Sequence, residues 1–307
     1  MEATVKTKNP HDKAKKKRLP TFNIVNGFLL LLLIIICFIP IMHLVSLSLS
    51  NKLDAVAGNV GIFPKGFNLA AYQYVMESSD FWRALSITVL RVIIGVPASL
   101  FVVLLSAYAL SKPVSRFRAR NIFSGFFVFT MLFGGGMIPS YIVISKLGML
   151  NTIWALTIPG AMNIGYMIMM MNFFRGIPTE IEEAATIDGA GQFRILFTLY
   201  LPMSLPSLAT ILLFSTVANW NCWMDGYLYM NKPTNYPLQT YLAVLLMNSK
   251  STLDMAMTPE QIKRMEQTSE RTIEAAQIFL AALPIMCFYP FLQKYYIKGI
   301  VVGSVKG

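Results

Sequence analysis

The sequence predicts an all-α membrane protein with six transmembrane helices, and three observations carry that expectation. Hydrophobic residues make up 55% of the 307 positions and charged residues only 13%, against about 25% charge in a soluble domain. Six apolar stretches are each long enough to cross about 30 Å of hydrocarbon at about 1.5 Å per residue. The basic residues gather on alternate connections between those stretches, the pattern that orients a membrane protein. The same composition excludes disorder for the bulk of the chain. The formal net charge of +11 then reads as membrane orientation, and no nucleic acid is expected.

Residues 1–20 form a polar, basic arm containing Lys15, Lys16, Lys17 and Arg18. The apolar run that follows, Phe22 to Leu49, is too long for a signal-peptide core and reads as an uncleaved first span. The remaining spans are expected at Trp82 to Leu110, Ile122 to Ile144, Ile153 to Phe174, Leu201 to Met224 and Ile273 to Leu292. Each must be helical, because unpaired backbone groups are costly in lipid. The spans make one membrane domain, 21–293, followed by a tail at 294–307. Six crossings put both termini on one side. The arm, residues 112–120, the loop at 175–200 and the tail hold 16 Lys and Arg against 6 Asp and Glu. That side is therefore expected to be cytoplasmic.

The outer loops, 50–81 and 226–272, are long enough for a vestibule, a docking surface or a plain solvated face. Thr258, Pro259 and Gln261 predict the start of a surface helix. Phe133-Gly134-Gly135-Gly136-Met137 lacks the Lys-Ser/Thr end of a nucleotide loop and predicts a break in the third span. Met167, Met169, Met170 and Met171 read as flexible packing rather than a metal path. Cys37, Cys222 and Cys287 read as small buried hydrophobes, with no disulfide or metal spacing. Arg91 lies inside the second span. A long side chain snorkelling to the outer headgroups competes there with a functional intramembrane charge.

The loop between the fourth and fifth spans carries the most specific pattern. Thr179 and Glu182 have capping-box spacing, so a helix is expected from about Glu180. Ala184 and Ala185 favour helix and close approach. Gly189 and Gly191 allow a sharp turn, and a second short helix with Phe193, Ile195, Leu196 and Phe197 leads to Pro202. Glu180, Glu182 and Glu183 offer charge contacts to a cytoplasmic partner. An ordinary amphipathic loop lying at the headgroups is the competing reading.

Glu183-Ala184-Ala185, then Gly189, then Leu201-Pro202 resembles the signature loop of binding-protein-dependent ABC importer permeases, with Leu199 where that family usually has isoleucine. Gly134-Gly135-Gly136-Met137-Ile138-Pro139 and the ending Gly303-Ser304-Val305-Lys306-Gly307 are similar to the MalG-like carbohydrate permeases of the LplC/YtcP-like branch. The resemblance implies the type I ABC importer permease fold. It implies ATPase coupling through Glu180, Glu182, Glu183, Ala184, Ala185, Asp188, Gly189, Phe193 and Pro202. Tail contact to the ATPase through residues 303–307 is implied as well.

The implied partners are a homologous permease subunit, two cytoplasmic ATPase subunits, an extracytoplasmic solute-binding lipoprotein, membrane lipid and a sugar or oligosaccharide. This chain is expected to bind no cofactor itself; ATP and Mg belong to the partner ATPase, and no catalytic or metal residues are expected here. Asn163, Asn219, Trp220 and Asn221 are candidates for a substrate path, since amides bond hydroxyls and an indole stacks on a sugar face. Interhelical hydrogen bonds and an interfacial aromatic belt are the alternative for them and for Trp223. The same architecture importing a non-sugar solute, a six-span membrane enzyme, and a membrane scaffold without transport are the other functions considered. No converging set of acid, base, nucleophile and metal ligands favours the enzyme, and His43 stands alone.

Overall fold

The computed structural model describes residues 20–247 and 268–304. The basic arm, the surface helix expected from Thr258, and Val305, Lys306 and Gly307 lie outside the described residues. Every regular element among the described residues is helical.

Three helices are long and apolar enough to cross a membrane: Phe22–Ser48 within α1 (Pro20–Ser48), α4 (Ser79–Ser111), and Glu270–Phe288 within the last helix. Two bent pairs raise the number to five if each is one span. The first pair is α5 (Arg120–Leu132) and α6 (Met137–Lys146), bent by 116°. The break falls on the expected glycines: Gly136 has φ of 85°, a left-handed conformation that costs a residue with a Cβ about 1–2 kcal/mol. The second pair is α10 (Gln192–Met203) and α11 (Leu205–Asn221), bent by 84°. Pro206 has no N–H for the carbonyl of Pro202, so the ladder is interrupted at Ser204. A π-helical turn at Leu196–Tyr200 precedes the bend. The fifth span therefore starts at Leu205, and Leu201-Pro202 ends the arm before it.

The expected fourth span is not one helix. It divides into α7 (Ile153–Thr157) and α8 (Ile164–Arg175). Pro159-Gly160 stop the first piece, since proline disfavours helix in the residue before it. Asn163 restarts the second by accepting the backbone N–H of Tyr166 at 3.1 Å, an N-cap bond. The last helix, α14 (Glu270–Ser304), runs through most of the stretch expected to be a separate tail. Between Pro290 and Gly299 no glycine or proline interrupts it.

Four short helices lie in the connections at the other end of the bundle: α2 (Lys52–Val56), α3 (Ala70–Glu77), α12 (Met224–Tyr229) and α13 (Leu238–Met247). The centre of the molecule is α4, packed against α8, α11, α7 and α13, while α1 rests mainly on α14. One apolar core joins Val103, Ala107 and Tyr108 of α4 to Met170 and Phe174 of α8 and to Ile195, Leu196 and Ile211. A second core at the opposite end gathers Val75, Phe81, Ala84, Trp220, Leu238 and Ala276. Most of α1 and all of α5 present their apolar side chains outward, as membrane helices must. Cys37 and Cys287 are exposed on such faces rather than buried, and Cys222 is half-buried.

Candidate functional site

The loop at 176–202 folds into two short helices at the end of the bundle where α4 terminates. The first, α9 (Thr179–Ile187), is amphipathic by position. Ile181, Glu182 and Ala185 face the bundle, whereas Glu180, Glu183, Ala184 and Ile187 are exposed on the other side. The outward set has the i, i+3, i+4, i+7 spacing of one helix face.

The turn after α9 is fixed by backbone hydrogen bonds. The N–H of Ala190 donates to Ala185 O at 2.9 Å and the N–H of Gly189 to Thr186 O at 3.1 Å. This is the Schellman arrangement, which places its left-handed residue at Gly189, whose φ is 81°. Asp188 is the C-cap. No atom lies within 4 Å of where a Cβ at Gly189 would sit, so backbone conformation, not space inside this chain, demands the glycine. Gly191 has φ of −72° as the N-cap of the next helix and needs no such freedom. Phe193 projects outward at 70% exposure, and Pro202 is also exposed.

Glu182 departs from expectation. No side-chain cap bond forms at the start of α9, and Glu182 is not a surface contact. It points into the bundle with its side chain 3% exposed. Lys112 Nζ donates to its Oε2 at 2.7 Å, and the Tyr200 hydroxyl donates to the same oxygen at 2.6 Å. Arg116 Nη1 lies 2.9 Å from its Oε1. The helix begins one residue earlier than a capping box at Thr179 requires: its N-cap is Pro178, which has no N–H for the carboxylate to accept, and Glu182 takes its tertiary partners instead.

The surrounding groups extend the cluster. Lys112 Nζ sits 3.8 Å from the Tyr108 ring centre and 4.3 Å from that of Tyr200, within cation–π range. Tyr108 donates to Gln192 Oε1 at 2.8 Å. Burial alone would raise the pKa of Glu182, but the bonds from Lys112 and Tyr200 and the charges of Lys112 and Arg116 outweigh it and hold the carboxyl below its ordinary range. Burial lowers Lys112 from its usual value, and Glu182 offsets part of that. We assign an ionised pair, because both cations converge on one carboxylate. Arg116 also reaches outward: its Nη2 is 3.4 Å from Glu183 Oε1, on a carboxylate 59% exposed. Lys112, Arg116, Tyr108 and Tyr200 were not legible as site residues. They sit far from Glu182 in sequence or look like positive-inside and core residues.

Arg91, at the other end of α4, does not snorkel. It is 4% exposed and faces inward. Its guanidinium binds Asp225 with both terminal nitrogens, one at 3.1 Å, while Nη1 also donates to Cys222 O at 3.2 Å and Nε to Asn219 Oδ1 at 3.4 Å. The planar fork is satisfied within this chain, which removes the drive toward headgroups. The substrate-path candidates are engaged too. Asn219 also donates to Ser215 O at 2.9 Å, buried Trp220 donates to Ala281 O at 3.2 Å, and Asn163 caps α8. Asn221 is exposed at the end of α11. Gly303 and Ser304 end α14. Among the described residues no group of three or more His, Cys, Asp and Glu side chains could hold a metal ion.

Residues 66–301 match the family described as binding-protein-dependent transport system inner membrane component. The polygalacturonan/rhamnogalacturonan transport system permease protein YtcP of Bacillus subtilis (strain 168) is 37% identical, over 92% of this chain and 97% of that one. Protein LplC of the same organism is 37% identical over 89% of this chain and 90% of its own length. Among solved structures, a chain of a bacterial ABC transporter involved in the import of the acidic polysaccharide alginate superposes with a TM-score of 0.80. It shares 33% identity and covers 90% of this chain and 96% of that one. The chain belongs to the family of binding-protein-dependent transport system inner membrane components. It is a multi-span permease subunit of an ABC-type importer, a transport component rather than a catalytic one.

Proposed function

We propose that this permease subunit moves acidic oligosaccharides into the cytoplasm, in the LplC/YtcP-like branch, and is driven through α9 by a separate ATPase. The substrate class draws on two relatives: one is named for polygalacturonan and rhamnogalacturonan transport, the other for import of the acidic polysaccharide alginate. The repeating acid units of such polymers carry carboxylates.

The observation that carries the coupling role is the two-sided build of α9. Its inward side is tied to the bundle through Glu182, while Glu180, Ala184 and Ile187 are exposed on the outer side with Glu183, which Arg116 reaches, beside Asp188, Gly189 and Phe193. A partner gripping that outer face moves α4 and α11 with it. ATP binding would close the ATPase pair and turn the bundle outward to receive substrate; hydrolysis would reset it. Transport is coupled only if the two states bind ligand differently.

In this reading α7, the 158–163 link and α8 together make one broken crossing. With the five others this gives six, and both termini are cytoplasmic. The full importer adds a homologous permease, two ATPases and an extracytoplasmic solute-binding lipoprotein. Residues 303–307 reach the ATPase as well.

The test is site-directed cross-linking in vesicles holding the whole importer, energised with ATP and offered oligogalacturonate or alginate oligomers. A cysteine replacing Ala184 should cross-link to the ATPase, and uptake should favour the acidic oligomers over neutral ones. No cross-link at Ala184 would remove the coupling role. Equal preference for neutral raffinose would remove the substrate class.

A further inference from the structure

The cluster around Glu182 joins three elements that are otherwise separate in the chain. Lys112 and Arg116 follow α4, Glu182 belongs to α9, and Tyr200 lies in the π-helical turn before α11. Tyr108 of α4 extends the network to Gln192, where α10 begins. The outward carboxylate Glu183 and the inward carboxylate Glu182 share one guanidinium, that of Arg116. Glu180 and Glu183 have no such buried contact, so apolar packing of Ile181 and Ala185 is the other hold that α9 has on the bundle.

We infer that Glu182, Lys112, Arg116 and Tyr200 are positioning residues that convert displacement of α9 into displacement of α4 and α11. None touches substrate or nucleotide. The inference rests on the proposed coupling through α9 and adds the part of the path inside this chain.

The physical case has three parts. First, a charged pair buried at this depth resists separation, because parting it leaves an uncompensated ion in a low-dielectric site. Apolar contacts alone would let α9 slide, since dispersion is non-directional. Second, the geometry is directional: Lys112 and Tyr200 approach the same oxygen of Glu182, so both receiving elements are referenced to a single atom. Third, Arg116 is 42% exposed and spans the inner and outer carboxylates. A cation brought to Glu183 by a partner competes for that carboxylate and is felt at Glu182 through the shared guanidinium.

The experiment reads substrate imported per ATP hydrolysed, in vesicles holding the full importer. Glu182→Gln keeps the size of the side chain and removes its charge; Lys112→Met removes the other ion. Both should still bind the ATPase and hydrolyse ATP, while import per ATP falls at least about 5-fold, the lower end of the usual range for coupling between sites. Lys112→Arg should recover most of it. If either buried-charge variant fails to assemble, Tyr200→Phe, which deletes one O–H, reads the same ratio and should lower it. A pair of spin labels at Ser115 and Asp188, both exposed, should give a broader distance distribution in Glu182→Gln than in the parent. An unchanged ratio overturns the inference, and so does an equal fall in hydrolysis and import, the sign of a structural role only. Failure of the Ala184 cross-link would instead defeat the reading on which the inference rests.

Discussion

The two ends of α4 each hold a buried ion pair, and they are built differently. At one end Arg91 meets Asp225, and also donates to Asn219 Oδ1 and Cys222 O. These contacts are internal, and the pair clamps α4 to the first turn of α12. At the other end Glu182 meets two cations, and one of them, Arg116, continues to an exposed carboxylate. The first site is closed on itself, and the second is open to a partner. Buried charge is costly in both places, so each must hold something that apolar packing would not. The difference teaches that a buried ion pair can serve as a fixed clamp or as a link to the outside, and that the free valence decides which.

The largest expected effect breaks the clamp. Arg91→Leu leaves Asp225 half-buried without its cation, a loss of about 3–5 kcal/mol by analogy with other broken buried pairs. Thermal unfolding of the purified chain in detergent should show a large drop, and membrane levels should fall. Arg91→Lys should recover only part of the stability, since an ammonium cannot make the two-pronged contact. Equal stability of Arg91→Leu and the parent would mean that the clamp is not holding α4.

Next comes the outward turn. Gly189→Val forces a β-branched residue into a left-handed conformation at a cost of roughly 1–3 kcal/mol. Hydrolysis stimulated by the substrate-loaded binding protein should fall more than it does in Glu183→Ala. Gly189→Asn should be milder, because asparagine tolerates that conformation. If Val and Asn at 189 behave alike, conformation is not the reason for the glycine.

A smaller effect is read by pH at the Glu182 end. The carboxyl of Glu182 is depressed in the folded protein, so its contribution is present above the unfolded value, ordinarily 4.5. It is lost as the pH falls through the folded value. The stability advantage of the parent over Glu182→Gln should therefore be constant above about pH 5 and shrink below it. An advantage that grew on acidification would reverse the assignment of an ionised pair. The smallest effect is local: Asn163→Ala should cost about 1 kcal/mol through the lost cap of α8. Import of substrate should be little changed, whereas loss of import at full stability would return Asn163 to the substrate path.

Much of this was legible in the sequence, because it is written locally. Apolar run length located most of the membrane segments, three glycines marked the α5–α6 break, and Glu183-Ala184-Ala185 with Gly189 marked the signature loop. Where local rules met tertiary ones they failed. Thr179 and Glu182 have the spacing of a capping box, yet Lys112, 70 positions earlier, takes the carboxylate. Arg91 read as a lone charge able to snorkel, because Asp225 lies 134 positions away. The fourth span read as continuous because its mean apolarity hid Pro159-Gly160. Run length detects burial in lipid, whereas helix continuity depends on single residues.

The central claim is that the loop at 176–202 transmits force from an ATPase to this bundle. It is tested most directly by the Glu183→Ala, Gly189→Val double variant in vesicles containing the complete importer. ATP hydrolysis and oligosaccharide uptake are measured together, at protein levels matched to the parent. The account predicts that binding-protein-stimulated hydrolysis and uptake both collapse, while the isolated binding protein keeps its affinity for the sugar. Normal coupled uptake from that variant would contradict it and show that the loop is not the transmission.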